Sequence, residues 1–443
     1  MKKVIFLIEK SNELKYLSST LFFFNKKKIE IQICFIQKIE YKNDFKKYLK
    51  PENAKGSLLK KIKFKKFNDK SKFHNFCIDE RKNIAFIFSL HFISKERFKI
   101  SEKFLQAITK KWCVIGHGLD SFIQFKNEDT YLNYKANFFF SSKYFLEEGK
   151  KYIKKFSKKR NIFDSKNIKI YLVGNSMFSK KIFKKKKLKK KLKKKLIYLP
   201  FPFYRDRYGK NKNFAFQAAY TGQFINFYSF SRNSQKKGYY FSFYSQIKHY
   251  ILNKVEIFKY FYLIKSYYNF YNELNVIKSI KKFCDQNNFE FIVKPRLKFP
   301  YINKINKYAD KVIFDDESSQ YPSLFQKELS TTDLVIGSLS SSVYEVAMFK
   351  IPYINIEIPK IAFKTQSNKF MHNYGKNLYY NFDKVVFNYR IKDFVDEFKK
   401  EKSENFNLSI KKSESYLKKF CGLSKNSEEV GKKILKILKL EKK

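Results

Sequence analysis

The stretch "LVIGSLSSSVYEVAMFKIPYINI", Leu334 to Ile356, decides how this chain is read. An apolar run ends in a glycine. A serine cluster follows, then a short amphipathic segment with one glutamate, then a second apolar run behind Lys350, Ile351 and Pro352. Apolar runs of four or five residues separated by a helical segment are the pattern of parallel β-α-β units. With only 12 glycines in 443 residues, one placed directly after a strand is informative, because a missing Cβ allows the backbone a close approach. In open parallel sheets ligands bind beyond the carboxyl ends of the strands. Gly337, Ser338, Ser340, Ser341 and Ser342 occupy that position, with hydroxyls and amides suited to phosphate. Glu345 stands about one turn further on, where a carboxylate can accept two ribose hydroxyls.

The same rhythm runs outward in both directions. "KVIFLIE", "IEIQICFI", "NIAFIFSL", "WCVIGHG", "ANFFF" and "IKIYLVGN" read as strands in the first part of the chain, with helical segments between them. Residues 43–75 read as a polar, lysine-rich excursion. In the second part "LIYLP", "FEFIVKPR", "DKVIFDD", "DLVIG" and "IPYINIE" read as strands, and "SEEVGKKILKILKLEKK" as a terminal helix capped by Ser427. Val430, Ile434, Ile437 and Leu438 fall on one face of that helix and are read as core. The expected fold is α/β, two Rossmann-like doubly wound domains facing a cleft. The expected boundaries are residues 1–179 for an acceptor domain, 180–195 for a lysine-rich linker and 196–443 for a donor-binding domain. The last carries an aromatic-rich insertion at about 208–275.

Lys and Arg number 95 against 40 Asp and Glu, a formal net charge of +55. An acidic partner is implied in phosphorylated substrates, nucleic acid or an anionic membrane, although A/T-rich codons also enrich Lys, Phe, Tyr, Asn and Ile. The 16 residues from Lys180 to Lys195 include 12 lysines, a solvated linker or a surface for anionic lipid head groups. The aromatic insertion suits core packing or a membrane interface better than nucleic acid, because no nucleic-acid motif accompanies it. The five cysteines are scattered without paired spacing, which indicates neither a disulfide framework nor a zinc site and fits a reducing cytoplasm. No run of roughly 18 apolar residues is present for a membrane span. His74, Cys77 and Asp79 form too sparse a set for a metal site.

A second constellation lies in "WCVIGHGLDSF". His117, flanked by Gly116 and Gly118 and followed by Asp120, stands at the expected carboxyl end of a strand. A histidine there is a natural general base near neutral pH.

Taken together, these segments resemble the CDP-glycerol glycerophosphotransferases that build teichoic-acid polymers, within the GT-B group. "GHG" resembles that family's His-Gly turn, and "FFFSSKYFLEEGKKY" with "IKIYLVGNSMF" its serine-turned helix and "GNPR"-type segment. "LIYLPFPFYRD" resembles its "ILYAPTFRD" strand, with Pro202, Arg205 and Asp206 in register. "TDLVIGSLSSSVYEVAMFKIPYI" resembles its "SDVLITDYSSVIFDYLLLDKPII", matching Ser340, Ser341 and Glu345. The resemblance implies a transferase with His117 as base, Ser340, Ser341 and Glu345 on the donor, and Arg205 on its pyrophosphate. Lys294-Pro295-Arg296 stands where the family carries a histidine, and Gly337-Ser338-Leu339 where it carries Asp-Tyr. A nucleotide sugar and CDP-glycerol therefore both remain open as donor.

The expected function is transfer of a glycosyl or glycerol-phosphate group from a nucleotide-activated donor to a lipid-linked or polymer acceptor. The expected setting is cytoplasmic, peripheral on the inner face of the cell membrane. Lys294, Arg296 or Arg205 would receive the leaving phosphate, so no metal or other cofactor is expected, nor a nucleic-acid partner. The alternatives are a UDP-sugar 2-epimerase of the same architecture and a non-catalytic basic-aromatic module binding membrane or nucleic acid.

Overall fold

The computed structural model describes residues 2–8, 13–36, 63–90, 104, 107–116, 137–147, 150, 169–175, 193–200, 227–230, 238–240, 273–295, 301–302, 307–313, 315, 323–338, 342–357, 382–422 and 428–440. They fall into two units, each built on its own parallel sheet. Unit 1 comprises Met1–Lys184, Glu317–Ser323 and Ser415–Lys443; unit 2 comprises Lys185–Asp316 and Leu324–Glu414.

In unit 1 the strands are β1 (Lys3–Ile8), β2 (Ile31–Ile36), β3 (Lys63–Phe67), β4 (Ile84–Ser89), β5 (Trp112–Ile115), β6 (Asn137–Phe140) and β7 (Lys169–Leu172). They form a seven-stranded sheet in the order β3-β2-β1-β4-β5-β6-β7, parallel at every pairing. Nearly continuous burial of β1, β2 and β5 explains why these strands read as apolar runs rather than alternating ones. Rings cross the sheet on one face: Phe6 stacks on Phe88 at 5.1 Å, Phe88 on Phe139 at 6.2 Å and Phe139 on Tyr171 at 5.5 Å. Helix α1 (Leu14–Lys26) brings Leu14, Leu17, Leu21 and Phe24 to that core at helical spacing. Full burial of such a side chain contributes roughly 1.5–3 kcal/mol. Helix α2 (Lys70–Asp79) follows β3 and is capped by Asp69, which accepts a hydrogen bond from the Lys72 amide at 2.8 Å.

In unit 2 the strands are β8 (Lys194–Tyr198), β9 (Phe227–Phe230), β10 (Gly238–Tyr240), β11 (Phe289–Val293), β12 (Tyr301–Ile302), β13 (Lys311–Val312), β14 (Leu334–Gly337), β15 (Tyr353–Glu357) and β16 (Val386–Arg390). Six of them form the sheet β13-β11-β8-β14-β15-β16, again parallel throughout, and β10-β9-β12 form a small antiparallel sheet. Its helices are α3 (Glu273–Gln286), α4 (Leu324–Leu329), α5 (Ser342–Met348), α6 (Ile391–Glu397) and α7 (Ile410–Tyr416), the last ending just past the unit boundary. One side of the sheet is closed by rings, with Phe283 4.5 Å from Phe398 and Phe398 4.4 Å from Phe394. The final helix, α8 (Glu428–Ile437), belongs to unit 1.

The α/β class with two doubly wound parallel units is as expected, and it is the architecture the family resemblance implies. Three sequence expectations differ from what is observed. The expected polar excursion at 43–75 contains β3 and most of α2. The expected linker 180–195 overlaps β8, because Lys194 and Lys195 pair with Phe289 and Glu290 of β11. The expected second domain, 196–443, overruns. Ser415–Lys443 returns to unit 1, where α8 buries Val430, Ile434 and Leu435 in the same core as α1. In that returning segment Gly422 adopts φ +62°, and a Cβ there would stand 1.6 Å from the Ser141 carbonyl oxygen. Only glycine fits such an approach.

Candidate functional site

The strand order reverses in unit 2 between β8 and β14, because β11 lies on one side of β8 and β14 on the other. Such a reversal opens a crevice at the carboxyl ends of the two strands. The hydrogen bonds there align three chain segments. The Lys294 amide donates to the Tyr198 carbonyl at 2.9 Å, and the Leu199 amide donates to the Ile336 carbonyl at 2.8 Å. Lys294, Leu199 and Gly337 therefore stand in one row across the ends of β11, β8 and β14.

Lys294 is only 5% exposed, and its ammonium lies 5.1 Å from the centre of the Phe325 ring. Burying a lysine is costly, and the face of that ring offsets part of the cost. Ser338 is also buried. Gly337 has a use the sequence did not reveal. A Cβ there would meet the Tyr353 hydroxyl oxygen at 2.5 Å and the Leu199 Cβ at 3.3 Å. The glycine leaves room for a ring from the neighbouring strand, whatever else passes the turn.

Glu345 sits in the first turn of α5 and is buried. Its Oε2 accepts a hydrogen bond from the Gln326 side-chain amide on α4 at 3.0 Å. The carboxylate is thus held by a second helix. Asp315, also buried, accepts from the Phe325 amide at 2.7 Å and fixes the start of α4, and hence the ring beside Lys294. Gln326 belongs to no motif, and Asp315 was read only as part of the strand "DKVIFDD"; burial is what singles both out.

No protein-family model and no curated protein sequence matches the chain. Solved structures do resemble it along nearly its whole length. MnaA of S. aureus, in a co-structure with UDP, is 11% identical with a TM-score of 0.49, over 100% of this chain and 98% of that one. A glycosyltransferase from Rickettsia africae is 9% identical with a TM-score of 0.46, over 99% and 98%. The wall teichoic acid polymerase TagF is 11% identical with a TM-score of 0.46, over 99% and 89%. Likenesses of this size assign no residue role and no activity.

Of the sequence candidates, Lys294, Gly337, Ser338, Ser342 and Glu345 fall among the described residues, and all belong to unit 2 around β11, β14 and α5. His117, Asp120, Arg205, Arg296, Ser340 and Ser341 lie outside the described residues. In unit 1 the strand-order reversal lies between β1 and β4, whereas the sequence reading chose the end of β5, one strand further along. Ser89, buried, ends β4 at that reversal, and Glu13, also buried, immediately precedes α1. His74 and Cys77 are buried on α2, and no group of three potential metal ligands comes together among the described residues.

Proposed function

We propose that the protein is a transferase that takes its donor from a nucleotide-activated compound, with unit 2 as the donor-binding unit. The observation that carries this reading is the buried Lys294 in one row with Leu199 and Gly337, with buried Ser338 next along the chain, at the strand-order reversal of a parallel sheet. A lysine and serines carried at the carboxyl ends of neighbouring strands suit a phosphate diester or pyrophosphate. Lys294, with Arg205 and Arg296 from the sequence reading, compensates the charge that builds on the leaving nucleotide phosphate, in place of a metal ion. Glu345, steadied by Gln326, receives the ribose hydroxyls.

The transfer itself is a displacement. The acceptor hydroxyl loses its proton to His117 as its oxygen bonds to the anomeric carbon or phosphorus of the donor. The bond from that centre to the nucleotide's phosphate oxygen breaks, and the electron pair leaves with the nucleotide. A lipid-linked or polymer acceptor and work at the inner membrane face complete the proposal; the sequence resemblance supports them.

The experiment is a thermal-shift panel of UDP, CDP, ADP and GDP and their glycosyl or glycerol conjugates. One base is expected to raise Tm by a few degrees at saturating ligand, with the shift lost in Lys294→Ala. A wild-type chain that no nucleotide stabilises would overturn the reading. With the donor known, His117→Ala is expected to keep the shift and lower transfer about 10²–10⁴-fold, measured with chelator present.

A further inference from the structure

The register of the unit 2 sheet carries the row of Lys294, Leu199 and Gly337 on by two strands. Gly337 is level with Asn355 of β15, and Asn355 with Asn388 of β16. Neighbouring backbones in a sheet lie about 5 Å apart, so Asn355 stands one strand spacing from the glycine that ends β14. It also shares a face with the side chain that glycine lacks. Tyr353, two residues earlier in β15 and so on the same face as Asn355, is the residue whose hydroxyl a Cβ at position 337 would meet.

Asparagine is an unusual occupant of such a position. It is depleted in strands, and Ile354 and Ile356 on either side of it are buried aliphatic residues. Asn355 is itself only 3% exposed. Its Nδ2 donates to Asn388 Oδ1 at 2.9 Å, but its own Oδ1 is buried and has no hydrogen-bond partner among the described residues. Leaving a buried amide oxygen unpaired is costly, and most such atoms in folded proteins find a partner. Asn388 is exposed, so the buried amide lies one hydrogen bond from solvent.

The unpaired atom dictates the chemistry of what it takes. A carbonyl oxygen accepts, so its partner must donate, as a hydroxyl does. Phosphate oxygens accept and do not suit it; an apolar group would leave it unpaired. We propose that Asn355 is a specificity-determining residue of the donor crevice, its Oδ1 accepting a hydrogen bond from a hydroxyl of the group being moved. The proposal deepens the donor-binding reading of unit 2 and rests on it. In that reading Lys294 serves the phosphates and Glu345 the ribose, which leaves the hydroxyls of the transferred glycosyl or glycerol group for Asn355. Asn388 holds the amide in place from the neighbouring strand. A donor without a hydroxyl at this point leaves the amide oxygen buried and unpaired, and is rejected for that reason.

The test is calorimetric titration of the intact chain with UDP against UDP-glucose and with CDP against CDP-glycerol. Asn355→Leu keeps the size of the side chain and removes its polar atoms; Asn355→Asp keeps an acceptor oxygen. Asn355→Leu is expected to weaken the conjugate about tenfold while the matching nucleoside diphosphate stays within about twofold. Asn355→Asp should leave both within about threefold. Should Asn355→Leu fail to fold, Asn355→Thr, a good strand former whose shorter hydroxyl falls short of the ligand, takes its place with the same expected split. A variant that weakens nucleotide and conjugate equally, or neither, overturns the role of Asn355 and leaves the donor-binding reading standing. A wild-type chain that binds none of the four compounds overturns both.

Discussion

Alanine at position 337 would carry its Cβ to 2.5 Å from the Tyr353 hydroxyl oxygen, on a ring that is itself buried. Gly337→Ala is therefore expected to destabilise unit 2 by about 1–3 kcal/mol, seen as a lower urea midpoint with unchanged slope. Adding Tyr353→Phe removes the clashing atom and should recover most of the loss. If Gly337→Ala melts like wild type, the packing account of this glycine fails. The contrast with Lys294 is instructive at this scale. The sequence drew attention to both, one as a turn residue and one as a departure from a family pattern. Only burial separates a glycine with a sufficient packing reason from a lysine at the end of a strand.

At the scale of elements, β3 and α2 show what periodicity misses. "KFKKF" reads as loop because Lys65 and Lys66 are exposed while Phe67 is buried, the pattern of an edge strand supported from one side. Behind it, α2 buries His74 with its ring 4.3 Å from that of Phe104, and its Nε2 has no hydrogen-bond partner among the described residues. Burial first, and Lys70 second, hold its pKa down at about 4, against a smaller opposing pull from Asp69. The unfolded chain takes up this proton near pH 6.5, well before the folded one. Above that pH the group costs nothing; as pH falls from about 6.5 towards 4, the unfolded state gains protons and stability is lost. Allowing for partial solvent screening, the loss amounts to roughly 1–2 kcal/mol. Denaturation midpoints between pH 7 and 4 should therefore fall less steeply in His74→Gln. An unaltered slope would mean that another group carries the pH dependence.

For the whole molecule, the return of Ser415–Lys443 to unit 1 is the feature with the largest mechanical consequence. Truncation after Gly422, which leaves α7 whole, strips α8 from α1 and exposes the face of Phe23 that it covers. Unit 1 is expected to lose stability or aggregate while unit 2 keeps its own melting transition, which calorimetry of the truncated chain would resolve. A truncated protein with both transitions intact would contradict the packing described for α8. Among the described residues no helix is long and apolar enough to cross a membrane. Most strands, the two-unit α/β class and the glycine that ends β14 were legible in the sequence, because buried parallel strands leave short apolar runs and because glycine and serine mark a strand's end. Membership of the terminal helix was not, since an amphipathic pattern names a buried face but not the surface that buries it. Nor was the row of Lys294, Leu199 and Gly337, which are distant in sequence and meet only because hydrogen bonds between parallel strands set the order and level of their ends.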